Sequence, residues 1–358
     1  MSLYLAAILT FSIACAKKDL GQENVKTFSE KTIPKIIKLT GKKFYFNELK
    51  MPFTIFTKSN FLIVGESRRI DPRFPPVHIL DTQTMSYKMS KGVFGFGPGE
   101  ISDVAGIDLG AKDNKFWVNS AMNKRFSEFS LDDTVSLSCS QIKQEGEFFM
   151  AMFMKWSSDS TVMCRMVNDP HQFVEFNING QRLGNYGKWN DHLVRKDFTN
   201  YMMSELHLGW FHGNQNNNIY VSAGAYRDRI EILDKESGKI TMVDGPYNFI
   251  PKFTLVKTGG QSDKLIIDIN EPLAYWDVKV GNNFIYGLYS GRTNKQMREG
   301  TELATEIYVF ELNGDMRCEL KLDTSIRALA VDEDSKKLFG ITTDEDPGIV
   351  VFDLPSFE

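Results

Sequence analysis

Apolar residues in this chain fall into short runs, each closed by a polar turn. Six apolar triplets recur: Leu62-Ile63-Val64, Phe116-Trp117-Val118, Val162-Met163-Cys164, Ile219-Tyr220-Val221, Ile285-Tyr286-Gly287 and Leu338-Phe339-Gly340. Each is followed by a second apolar segment ending in Asp, Glu, Asn or Ser, at 77–81, 126–130, 173–177, 230–234, 307–311 and 349–353. In four of the six units the last apolar residue of the second segment lies 11 or 12 residues after the triplet. A repeat of this size is one supersecondary unit that must stack on its neighbours to cover its apolar faces.

Each triplet is preceded by a further apolar segment and a polar turn, at 53–56, 106–109, 151–156, 208–212, 275–280 and 328–331. Tight-turn pairs such as Asn179-Gly180 and Asn313-Gly314 follow the second segment and tolerate positive φ. Four antiparallel strands per unit and six units predict an all-β fold, a six-bladed β-propeller spanning 33–358. The third strand of the last unit nearly ends the chain. Segment 34–39 is therefore expected to supply its missing outer strand beside 349–352 and remove the open edges. Amphipathic helices between the strands are missing, which argues against an α/β enzyme; one helix candidate remains, at about 191–206.

The N-terminus reads as an address. The apolar run 3–14 is shorter than the roughly 20 residues a membrane helix needs, so it reads as the core of a signal peptide over 1–14. Ser12-Ile13-Ala14-Cys15 resembles a bacterial lipoprotein cleavage site, which implies lipid attachment at Cys15. An ordinary cleaved signal and a buried N-terminal strand are the competing readings. Residues 15–32 follow as a polar tether.

Composition narrows the partners. Lys and Arg number 42 against 46 Asp and Glu, a net charge of −4, so there is no basic excess to neutralise a phosphate backbone and nucleic acid is disfavoured. Four cysteines exclude a disulfide-built scaffold. Cys139, Cys164 and Cys318 fall in different blades and are expected to be unpaired and mostly buried.

Let the strands of a blade run A to D from the axis outward. Turns A–B and C–D then share one face, and connections B–C and D–A share the other. The long connections, at 65–76, 185–207, 244–271 and 288–306, all fall on the B–C/D–A face. Long loops on a rigid scaffold are where binding residues concentrate. Candidate ligand-binding residues there are Arg68, Arg125, Arg165, Trp189, Tyr201, His207, Arg227, Arg292 and Arg327. Guanidinium and aromatic groups together suit a glycan, a peptide or an envelope protein. A solvated rim of Arg–Asp pairs is the plainer account of any single arginine.

Phosphate-loop chemistry fails at Phe94-Gly95-Phe96-Gly97-Pro98-Gly99-Glu100, because no Lys-Ser/Thr and no strand–loop–helix context follows. The run is instead a crossover from blade one to blade two, with Gly95, Gly97, Pro98, Gly99 and Glu100 as its structural residues. This crossover, the lipoprotein-like start and the six units together resemble the TolB-like/NHL-like six-bladed propeller lipoproteins common in Bacteroidetes. The resemblance covers about 33–358. It implies the fold and a Gram-negative envelope location, with contact to the membrane through the lipid only, and carries no activity. Among the A-strand starts only His207 suits a metal, so no metal or other cofactor is expected. A non-enzymatic binding propeller is the first reading. A metal-independent lyase or hydrolase using Tyr201 and His207, and a structural subunit of an envelope complex, are the alternatives.

Overall fold

The computed structural model describes residues 25–189, 194–257 and 263–357. An N-terminal arm carries β1 (Val25–Thr27), β2 (Ile36–Leu39) and β3 (Lys42–Phe44). Blade one comprises β4 (Pro52–Lys58), β5 (Phe61–Glu66), β6 (Val77–Asp81) and β7 (Tyr87–Lys91). Blade two comprises β8 (Gly106–Asp108), β9 (Lys115–Ser120), β10 (Arg125–Ser130) and β11 (Ser140–Lys143). Blade three comprises β12 (Ala151–Trp156), β13 (Thr161–Met166), β14 (Phe173–Asn177) and β15 (Arg182–Tyr186).

A short helix, α1 (Asn200–Leu206), leads into blade four, made of β16 (Gly209–Asn214), β17 (Ile219–Gly224), β18 (Arg229–Asp234) and β19 (Lys239–Asp244). A hairpin of β20 (Phe253–Val256) and β21 (Lys264–Ile267) precedes blade five. Blade five contains β22 (Tyr275–Val280), β23 (Phe284–Tyr289), the helix α2 (Asn294–Glu299), β24 (Ala304–Glu311) and the first part of β25 (Met316–Asp332). The long β25 pairs with β24 over Met316–Lys321 and again at Ile326, and with β26 (Lys337–Thr342) from Ile326, so one strand is the fourth of blade five and the innermost of blade six. β27 (Ile349–Asp353) is the third strand of blade six.

The triplets are the second strands, buried on both faces, which is why they read as unbroken apolar runs; all six residues of β17 are buried. The core lies between blades. Phe56, Ile63, Val104 and Phe116 join blades one and two, and Phe126, Met154, Trp156 and Val174 join two and three. Met163, Phe173, Phe211 and Tyr220 join three and four, while Val221, Ile230, Tyr275 and Val278 join four and five. Leu288, Ile307, Leu329 and Phe352 lie between five and six, and Ile55, Leu62, Phe339 and Ile349 pack blade six on blade one. Each such side chain contributes about 1.5–3 kcal/mol when fully buried.

Two expectations for the N-terminus are corrected. The strand beside β27 is β3, with Phe44 opposite Ile349, and not 34–39. Segment 36–39 is instead a fifth strand on blade five, parallel to β25 with Leu39 opposite Leu322. Leu39 packs into the core between blades five and six, and Gly41 then passes so close to blade six that a Cβ would lie 2.3 Å from Val350 Cγ2. The charged Lys42-Lys43 pair suits the open edge that β3 occupies. The second correction concerns the tether. Val25–Thr27 pairs in parallel with β19, and Phe28 inserts between blades four and five, 5.1 Å from the Tyr308 ring. One aromatic anchor docks this segment, so no periodic pattern betrays it.

The leader, Cys15 and the first part of the tether lie outside the described residues. The helix expected at about 191–206 is shorter, beginning at Asn200 because the Thr199 side chain caps it by accepting from the Met202 amide. Cys139, Cys164 and Cys318 are unpaired; Cys139 is exposed, not buried.

Candidate functional site

Four of the nine sequence candidates meet on the B–C/D–A face. Arg165 pairs with Glu231 at 2.7 Å and lies over the rings of Phe173 and Trp189. His207 stands against Trp189 with ring centroids 4.7 Å apart, and its Nδ1 is 2.8 Å from the other Glu231 oxygen. Its Nε2 faces Arg227 Nη1 at 3.5 Å. A guanidinium only donates, so Nε2 accepts and Nδ1–H donates to Glu231. Burial lowers the His207 pKa to about 4, leaving a neutral ring at pH 7. Burial opposes the charge on Glu231, but Arg165 and His207 outweigh it and hold the carboxyl well below its usual range. Arg227 is 6% exposed, has no carboxylate within ion-pair reach among the described residues, and leaves its Nε without a partner.

The other five stand apart. Arg68 is exposed, and among the described residues it reaches only Met122 Sδ. Arg125 donates to the Gly97 carbonyl at 3.0 Å, and Arg292 pairs with Glu302. Tyr201 is half-buried, and its hydrogen bond with Glu205 pushes the phenol pKa up. Arg327 lies over the Phe53 ring and lines a cavity of about 380 Å³ between the blade-five insertion and blade six; burial, with Arg69 nearby, lowers its pKa. In the crossover, Glu100 accepts from the Gly97 amide at 2.8 Å, and Gly99 has φ +77°. Arg125 and Glu100 thus hold the crossover from both sides.

A larger cavity lies at the opposite end of the axis, among the A–B turns. It measures about 660 Å³, and every blade contributes to it from its innermost strand. None of the nine candidates lines it. Register explains the lining: Phe56, Asp108, Lys155, Gly213, Lys279 and Ala330 each stand opposite the middle residue of their triplet. Such positions alternate toward the axis. Three lysines converge here, and all are at least nine-tenths buried. Lys58 donates to the carbonyls of Leu109 and Gly110, and Lys279 pairs with both oxygens of Asp277 at 2.8 and 2.7 Å. Lys155 donates to the Ile107 carbonyl at 2.5 Å.

The ammonium groups of Lys155 and Lys279 lie over the Phe56 ring, 4.7 and 4.4 Å from its centroid. Burial lowers all three lysine pKa values, that of Lys155 to about 8. His212 stacks on Phe56, and its Nδ1 accepts from the Val280 amide at 3.1 Å. Burial and the two lysines keep this ring neutral. Asp108 also lines the cavity, its carboxylate accepting from the amides of Gly110 and Trp156. Lys58, Lys155 and Lys279 thus supply the cations of the floor, and the rim combines hydroxyl and amide groups of Ser59, Asn60, Asn214 and Asn282 with the carboxylates of Asp113, Asp332, Glu333 and Asp334.

This cavity escaped the sequence reading, although a signal existed. A lone charge between apolar neighbours in an inner strand, as in Met154-Lys155-Trp156 and Val278-Lys279-Val280, marks a buried cation facing the axis. Long loops drew attention to the other face. Among the described residues no three His, Cys, Asp or Glu side chains gather as a metal site, and no helix is long and apolar enough to cross a membrane.

Stacked four-stranded units around a polar axial cavity define a propeller. The chain belongs to the TolB-like 6-blade propeller-like family, whose model matches residues 27–334. A solved member of the DUF4221 family from Bacteroides vulgatus is similar at 12% identity and TM-score 0.57, over 88% of this chain and 96% of that one. A Bacteroides fragilis protein designated as exported is similar at 10% identity and TM-score 0.54, over 92% and 98%. No curated protein matches the chain.

Proposed function

We propose that this protein is a binding propeller that takes an anionic group of its ligand into the axial cavity. The observation that carries this is the convergence of Lys58, Lys155 and Lys279, each at least nine-tenths buried, on one cavity of about 660 Å³. Buried ammonium groups are costly unless paired, and among the described residues only Lys279 of the three has a carboxylate in contact. A bound carboxylate or phosphate would supply the missing counter-charge. Calorimetry at low salt with citrate as probe tests this. Wild type is expected to bind, and Lys279→Met to bind at least about tenfold more weakly, the loss of one charge-assisted contact. Absence of citrate and phosphate binding to the wild type would overturn the reading.

A second reading places a glycan, peptide or envelope-protein partner on the B–C/D–A face. It is favoured by Arg327, which lines the smaller cavity and has no carboxylate within ion-pair reach among the described residues. The lyase reading finds less support, because the Nε2 lone pair that His207 would offer as a base already faces Arg227. We also propose a lipid anchor at Cys15 and an envelope location, supported by the apolar run and cleavage-site pattern of the first 15 residues. Palmitate labelling that survives Cys15→Ser would contradict the anchor.

A further inference from the structure

The three axial lysines differ in what they touch. Lys279 is neutralised by Asp277, and Lys58 spreads its donors over two carbonyls. Lys155 has one acceptor, the Ile107 carbonyl, and among the described residues no carboxylate within ion-pair reach. An ammonium carries three donors, whereas a neutral amine that donates once keeps a lone pair for another partner. The surroundings of Lys155 favour that neutral form. Its stem is buried, Lys279 stands on the same Phe56 ring, and the neutral His212 stacks there too. Facing it are Asp108 from blade two, His212 from blade four, and Asp277 and Lys279 from blade five, with Lys58 of blade one, Asp113 of blade two and Asp332, Glu333 and Asp334 of blade six lining the same cavity.

We propose that Lys155 is a reactive amine that captures a carbonyl-bearing anion, such as a 2-oxo acid, as an imine in the axial cavity. This rests on the anion-binding reading, with Lys58 and Lys279 holding the carboxylate. The Lys155 Nζ lone pair adds to the carbonyl carbon, and the C=O π pair moves onto oxygen. The two amine protons leave with that oxygen as water, and the C=N bond remains. No oxidant or reductant enters. A desolvated lysine beside another cation is a recognised way to activate an amine near neutral pH. Burial, the main cause, brings the Lys155 pKa to about 8, so the nucleophilic form is present at physiological pH.

The test uses the full chain, glyoxylate as an anionic aldehyde probe, and cyanoborohydride to trap the imine, followed by peptide mass mapping. Carboxymethylation is expected at Lys155 at least about tenfold faster than at exposed lysines. Its rate is expected to rise as pH passes through about 8, while citrate affinity falls over the same range. Pre-bound citrate is expected to protect Lys155. Labelling spread evenly over exposed lysines, with citrate still bound by the wild type, overturns the imine and leaves anion binding standing. Failure of both citrate binding and Lys155 labelling overturns both. The wild-type map decides between these outcomes, so nothing depends on a Lys155 variant folding.

Discussion

Glu231 stands 2.8 Å from His207 Nδ1 and 2.7 Å from Arg165 Nη1, and His207 in turn faces Arg227. Both Glu231 and His207 are under 5% exposed. Removing the charge leaves the Arg165 guanidinium buried and unpaired. Glu231→Gln is therefore expected to destabilise the protein by about 3–5 kcal/mol. Urea unfolding measures this, and a loss below about 1 kcal/mol would show that water reaches the cluster.

His207 also sets a pH dependence. Its folded pKa is about 4, against 6.5 for the free side chain. The unfolded chain therefore binds a proton between these values when the native chain does not. The stability from the neutral ring is fully present above about pH 6.5 and is lost as pH falls toward 4. At about 1.4 kcal/mol per unit this amounts to roughly 3 kcal/mol. Wild type should lose that much more than His207→Gln between pH 7 and pH 4. Parallel stability curves for the two proteins would place the titration elsewhere.

The arm should be separable from the ring. Phe28 is 7% exposed and touches the rings of Tyr308 and Phe310, whereas β1 has only three residues. Phe28→Ala is expected to remove about 3 kcal/mol locally. Hydrogen exchange should speed up at Val25–Thr27 and along β19, with blades one to three unchanged. Uniform acceleration across all blades would mean that the arm is part of the global cooperative unit.

The crossover is testable as a pair. A Cβ at Gly95 would lie 1.9 Å from Glu100 Oε2. Gly95→Ala is expected to cost about 1–3 kcal/mol through this overlap. Glu100→Ala in the same background should recover part of the loss, giving a favourable coupling in a double-mutant cycle. Additive losses would indicate that the Glu100 carboxylate swings aside.

Anion affinity in the axial cavity should fall with rising pH. Lys155 has a folded pKa of about 8. Its charge is present below that value and lost above it, so citrate binding is expected to weaken through pH 8 and level off about two units higher. Raising salt should weaken the affinity only modestly, because the lysines are at least nine-tenths buried.

The sequence by itself determined the repeat. Triplets such as Leu62-Ile63-Val64 must be buried on both faces, and a strand with that need has to sit inside a sheet that stacks on others. Blade number, strand order and the short A–B turns follow from that local pattern. Tertiary structure decided what local pattern does not encode. Whether 36–39 or 42–44 pairs beside β27 depends on where Leu39 finds a core and where Gly41 can pass Val350. Arg165, Trp189, His207 and Arg227 were recognised as polar candidates, but their closure around Glu231 required four separate segments to meet. The axial cavity shows the same division. The lysines belong to three separate strands, and only the ring brings Lys58, Lys155 and Lys279 to one cavity, where burial changes their chemistry.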